Sequence, residues 1–125
     1  MSSRRVVTLG CLALTAAMGL APTPSLAAPA FHRVRGKAIA TLLTGREFSD
    51  EVHFTMLFEK GGALRMFSTG RRREGAWRVE DDQLCLDRTG DDHQCFEVWT
   101  SGSRLELRRE AGPPEEGILR RPKVL

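Results

Sequence analysis

Tyrosine is absent from this chain, and the side chains that most often carry chemistry are scarce: three Cys, three His and two Trp in 125 residues. His32, His53 and His93 are dispersed, with no H-x-x-x-H pair and no C-x-x-C, so the usual zinc spacings are missing. Asp91-Asp92-His93 is the densest set of metal-ligand types, but it falls at an expected hairpin tip, where polar side chains are solvated. No serine sits in G-x-S-x-G and no glycine-rich phosphate loop is present. The paired acids Asp81-Asp82 and Glu115-Glu116 lie in turn-like surroundings. The expectation is a protein that is not an enzyme, with no metal and no cofactor. Internal repeats and low-complexity tracts are also lacking.

A long apolar run occurs once, near the start. Arg4 and Arg5 precede Val6 to Leu20, an almost uninterrupted apolar stretch that is short for a membrane span; Pro22 and Pro24 follow. Ser25-Leu26-Ala27 fits the small-x-small cleavage rule, so 1–27 reads as a signal peptide cut between Ala27 and Ala28. Ser3-Arg4-Arg5 resembles a twin-arginine signal, although Val7 and Thr8 stand where Phe and Leu are usual, which leaves the export route open. Cleavage removes Arg4 and Arg5 from the 19 Lys plus Arg, leaving 17 against 16 Asp plus Glu. The basic balance is largely the leader's, and it gives no reason to invoke nucleic acid or stable membrane insertion after cleavage. The expected location is the periplasm or outside the cell. Cys11 leaves with the leader, so Cys85 and Cys95 remain, an even count in an oxidising compartment.

What is present is β-strand alternation. Leu84 and Leu86 share one face of a strand and Cys85 the other; Phe96 and Val98 share one face of the next, and Cys95 the other. Pairing these arms antiparallel about Gly90 sets Cys85 opposite Cys95 and Leu84 opposite Phe96 in one register, which predicts a disulfide. Closing a loop of about eleven residues is worth roughly 2.5–3 kcal/mol by the chain-entropy model.

The same parity continues along the chain. Phe54, Met56 and Phe58 face inward, Glu59-Lys60-Gly61-Gly62 turns, and Leu64 and Met66 return, with Phe58 opposite Leu64 and Met56 opposite Met66. Trp77 and Val79 extend that face, as do Leu105 and Leu107 after the Ser101-Gly102-Ser103 turn. Ile39, Leu42 and Leu43 fall at i, i+3, i+4 and favour a short helix over a strand for 37–44, stopped by Thr44-Gly45. Gly70 to Glu74, holding Arg71-Arg72-Arg73, reads as a charged connector, and Ala28 to Val34 as an arm without periodicity. Trp99 shares the cysteine face and is a candidate contact residue. The expected fold is mainly β: an antiparallel meander or small barrel of about six to seven strands with one short N-terminal helix. Residues 28–110 form a single β-rich domain in this reading, and 111–125 a loosely ordered tail.

Leu42-Leu43-Thr44-Gly45, the Phe58 to Gly62 hairpin, Gly75-x-Trp77, Leu84-Cys85 and Cys95-Phe96-x-Val98, in this order, resemble a family of small exported bacterial proteins of unknown function. The resemblance covers roughly 37–107 and implies a helix-then-sheet layout; it is silent on chemistry. Phe96 stands where that family usually has Tyr. A looser likeness is to periplasmic inhibitors of proteases or lysozyme, also small disulfide-stapled barrels. The functional expectation is an exported binding module whose partner is an envelope protein or a small apolar ligand. One alternative is a hydrolase inhibitor using Ala28-Pro29-Ala30-Phe31 as an inserting arm. The other is a carrier with a pocket lined by Phe54, Met56, Met66 and Trp77. N-terminal sequencing of protein recovered from the cell envelope or medium is expected to read Ala28 as the first residue; an intact Met1 there overturns the address.

Overall fold

The computed structural model describes residues 10–23, 30–90 and 92–123. The expected cleavage point, Ala27 and Ala28, lies outside them. Residues 10–23 have neither helix nor strand, and Leu12, Leu14, Met18 and Leu20 are all more than 90% exposed. Nine strands and one helix follow: β1 (His32–Val34), α1 (Lys37–Leu43), β2 (Arg46–Ser49), β3 (Phe54–Phe58), β4 (Ala63–Ser68), β5 (Arg71–Glu80), β6 (Gln83–Asp87), β7 (His93–Ser101), β8 (Arg104–Arg108) and β9 (Glu115–Arg120).

From β2 to β9 every strand pairs antiparallel with its neighbour in sequence, and β9 pairs back onto β2, closing an eight-stranded up-and-down barrel. β1 is the ninth strand, added to β7 with Val34 opposite Val98. The paired registers are those that parity predicts. Phe58 faces Leu64, Met56 faces Met66, Leu84 faces Phe96 and Cys85 faces Cys95. The two cysteines form a disulfide, with Cα atoms 4.0 Å apart, on the outer face of the sheet.

The helix lies at the end of the barrel where β3 and β5 finish. Ile39 and Leu43 are fully buried in the core, and the Gly45 N–H, just past the helix, donates to the Phe58 carbonyl. Gly45 takes a φ of 74°, a conformation that a side chain would strain. Below this plug the interior is filled by Phe48, Phe58, Leu64, Leu84, Phe96 and their neighbours. Trp77 belongs to this closed half: its ring stands edge-on to Phe58 at 5.5 Å, and its indole N–H donates to the Glu59 carbonyl at 3.0 Å.

Three expectations need correction. Among the described residues the strand count is nine, not six or seven. Two of the added strands come from stretches without an apolar rhythm. His32–Val34, expected as part of an arm without periodicity, is β1. Glu115–Arg120, expected in a loose tail, is the strand that closes the barrel. Its inward positions are Glu115, Gly117 and Leu119, only one of which is a large apolar residue, so alternation is invisible there. Finally, Arg71-Arg72-Arg73 is not a connector. The chain reverses in a two-residue turn, Thr69-Gly70, with φ of 45° and 75°, and enters β5 at Arg71.

Closure leaves no room at Gly117. A Cβ there would sit 2.5 Å from the Ser49 carbonyl oxygen and 2.6 Å from the Phe48 ring. Both neighbours belong to β2 and are buried. Gly117→Ala is therefore expected to destabilise by about 1–3 kcal/mol, the usual range for overpacking. Glu116→Ala, on the exposed outer face, is expected to change stability by no more than about 0.5 kcal/mol. Denaturant unfolding of the two variants checks this, and equal midpoints would show that the seam is not the constraint.

Candidate ligand cavity at the barrel mouth

The end opposite the helix is open. Inward positions of β3 and β4 there carry Phe54, Met56 and Met66, which line a cavity of about 700 Å³. Continuing the inward parity of β5 back from Trp77 passes Gly75 and reaches Arg73 and Arg71, which line the same cavity. Arg73 pairs directly with Met66, and Arg71 with Ser68. Arg72 points the other way, its guanidinium 5.2 Å from the Phe67 ring centre. The run of three arginines is thus divided by strand parity, two toward the cavity and one outward.

The opposite wall comes from the β6–β7 hairpin and the start of β9. Arg88 Nη2 donates to both Glu115 carboxylate oxygens, at 2.7 and 2.9 Å, and its guanidinium stacks 5.3 Å from the Phe96 ring centre. Arg88 Nε is buried and has no hydrogen-bond partner among the described residues. Thr89 and Asp92 complete this wall. Asp91 lies outside the described residues. The described lining contains no histidine or cysteine, and its polar groups are hydroxyls, two carboxylates and three guanidiniums. Such a set can bind and orient a charged group.

The expected lining of Phe54, Met56, Met66 and Trp77 is met in three positions. Trp77 lies four residues along β5 from Arg73, about 13 Å toward the plugged end. Arg71, Arg73, Arg88 and Glu115 are not legible as site residues in the sequence, where the first two read as a connector and Glu115 as part of a tail. Counting alternation backward from Trp77 is the signal that reaches Arg73 and Arg71.

The other candidates lie elsewhere. Phe31 packs against the outer face, with the Arg104 and Arg108 guanidiniums 5.7 and 5.9 Å from its ring centre. Ala28 and Pro29 lie outside the described residues. Trp99 is covered by Arg108, 4.1 Å from its ring centre, and its indole donates to Glu97. His93 Nδ1 meets Asp87 Oδ1 at 2.6 Å, and Arg78 Nη2 lies 3.3 Å from its Nε2. The hydrogen bond from His93 holds the Asp87 carboxyl below its ordinary range against partial desolvation, with the His93 and Arg78 charges acting the same way. Among the described residues, the three-residue set of metal-ligand types close enough to share an ion is Glu80, Cys85 and Cys95, and both sulfurs are committed to the disulfide. No described helix is long and apolar enough to cross a membrane.

The β2–β3 loop forms part of the rim, and Asp50 organises it. Its Oδ1 accepts from the backbone N–H groups of Val52, His53 and Phe54 at 3.0, 2.7 and 2.9 Å, while Oδ2 meets His53 Nδ1 at 2.8 Å. Burial alone would raise the Asp50 carboxyl, but the Phe54 and His53 N–H groups, the His53 ring and the Val52 N–H hold it well below the usual carboxylate range. Comparisons of the chain with family models, curated proteins and solved structures find no match.

A carboxylate with a depressed folded pKa stabilises fully above its unfolded value, here about 3.8, and that contribution is lost as the pH falls through the folded value. Asp50→Asn is therefore expected to be less stable than the parent at pH 7, with the gap narrowing steadily below about pH 4. Denaturant midpoints measured from pH 7 to pH 2 check it; a gap that is constant over that range contradicts the charge assignment.

Proposed function

We propose that this chain is an exported, non-enzymatic binding module that takes a small, largely apolar ligand into the open mouth of its barrel. The observation that carries this reading is the uneven filling of the interior. One half is plugged by Ile39 and Leu43 and filled with buried apolar side chains, while the other holds a cavity of about 700 Å³ floored by Phe54, Met56 and Met66. Eight-stranded barrels either fill with side chains or hold one small ligand, and this cavity falls within the usual range for ligand pockets. Methionine suits such a floor, because its flexible, polarisable side chain adapts to an occupant.

Export is part of the same proposal. The apolar run at 10–23 is exposed and has no place in the core, and a disulfide joins Cys85 to Cys95; both fit a leader removed in an oxidising compartment. The resemblance to small exported bacterial proteins belongs to the same reading. The packing of Phe31 on Arg104 and Arg108 favours the mouth over an inserting arm as the binding element.

The test uses a neutral apolar fluorophore, N-phenyl-1-naphthylamine. The mature protein is expected to bind it saturably, one per chain. Ser68→Trp, at an exposed inward position of the mouth, is expected to abolish binding while the unfolding midpoint stays near that of the parent. Absence of saturable binding, or binding unaffected by Ser68→Trp, overturns the proposal.

A further inference from the structure

The cationic half of the mouth has no structural explanation in the packing around it. Arg71 and Arg73 line a partly enclosed space two residues apart on one strand face, about 7 Å from each other at the backbone. Two like charges so placed repel, and a barrel that needed only to close its end would gain from an apolar or neutral pair. Neither guanidinium has an ion pair or hydrogen bond among the described residues. Glu115, an inward carboxylate of the same lining, is engaged by Arg88. Asp92 lines the cavity without an ion pair to any described residue. Arg88 adds a third guanidinium, whose buried Nε has no hydrogen-bond partner among the described residues.

We propose that the occupant of the cavity is a small organic anion with an apolar tail, its carboxylate or phosphate head held by Arg71 and Arg73 and its tail lying on Phe54, Met56 and Met66. The inference rests on the reading of the mouth as a ligand site and adds the charge of the ligand. The geometry favours one compact head group: side chains two apart on a strand project from the same face, within reach of a single oxyanion through their long flexible stems, and a guanidinium presents its donors in a fork that matches carboxylate and phosphate oxygens. The Ser68 position, directly opposite Arg71, sets a further hydroxyl at the same level of the barrel. Apolar floor and cationic rim together select amphiphiles over both simple salts and neutral hydrocarbons.

Displacement of N-phenyl-1-naphthylamine by decanoate, decyl phosphate and decanol tests this. Both anions are expected to displace the probe at least about tenfold better than decanol, as a charge-assisted contact would provide. Whichever anion is preferred identifies the head group. The Arg71→Gln/Arg73→Gln double variant is expected to lose that preference, the anions then displacing the probe no better than decanol does from the same variant. The two single variants, each at an exposed position, are expected to lose part of it. Arg72→Gln, pointing outward, is expected to keep it. Equal displacement by decanol and the anions in the parent overturns the anionic head and leaves the cavity reading standing. A preference that survives in the double variant overturns the assignment to Arg71 and Arg73. Failure of the parent to bind the probe at all overturns the cavity reading itself.

Discussion

Closure of the sheet depends on the seam between β2 and β9, and the seam depends on one residue without a side chain. Gly117 lies against the Phe48 ring and the Ser49 carbonyl, so a side chain there would hold β9 away from β2. On the outer face of the same seam, Arg120 Nε donates to Glu47 at 2.6 Å and Arg120 Nη1 to Glu51 at 3.1 Å, tying together residues about seventy positions apart. Ser49 is spent on the same corner: its hydroxyl donates to the Phe54 carbonyl and accepts from the Glu51 N–H. Without the seam, β2 and β9 would be free edges, and the interior would be an open sheet with no enclosed space.

Once the sheet is closed, strand parity decides everything inside it. Each strand contributes alternate residues to the interior, and the chemistry of those residues changes from one end to the other. Along β5 the inward series is Arg71, Arg73, Gly75, Trp77 and Val79, from cation to large apolar ring. Along β3 and β4 it runs from Phe54 and Ser68 at the mouth to Phe58 and Leu64 beneath the helix. The plug and the cavity are two consequences of one gradient.

The hairpins were legible in the sequence because each carries two apolar residues on one face and a turn that fixes its register. That is true of Phe54–Phe58 with Ala63–Ser68 and of Gln83–Asp87 with the arm holding Cys95. Where inward residues are charged or absent, the rhythm is lost. Glu115, Gly117 and Leu119 look like a tail, and Arg71 and Arg73 look like a loop. The cavity was legible in its apolar part for the same reason and illegible in its charged part. A barrel mouth is where inward positions cease to be apolar, so hydrophobic patterning fades at the place where a ligand would enter.

The two walls of the mouth are held in different ways. The cystine joins β6 to β7 with a sequence separation of ten, at the base of the hairpin that bears Arg88 and Thr89. Fraying of that hairpin must stop at a covalent bond. The facing wall, β3 and β4, is joined by backbone hydrogen bonds and side-chain packing, with no covalent link. Local opening on that side has only the free energy of a few hydrogen bonds and contacts to overcome. In mechanical terms one side of the cavity is bolted at the foot of its hairpin while the facing side, which carries Met56 and Met66, is held by reversible contacts, so the second is the side that yields to the shape of an occupant.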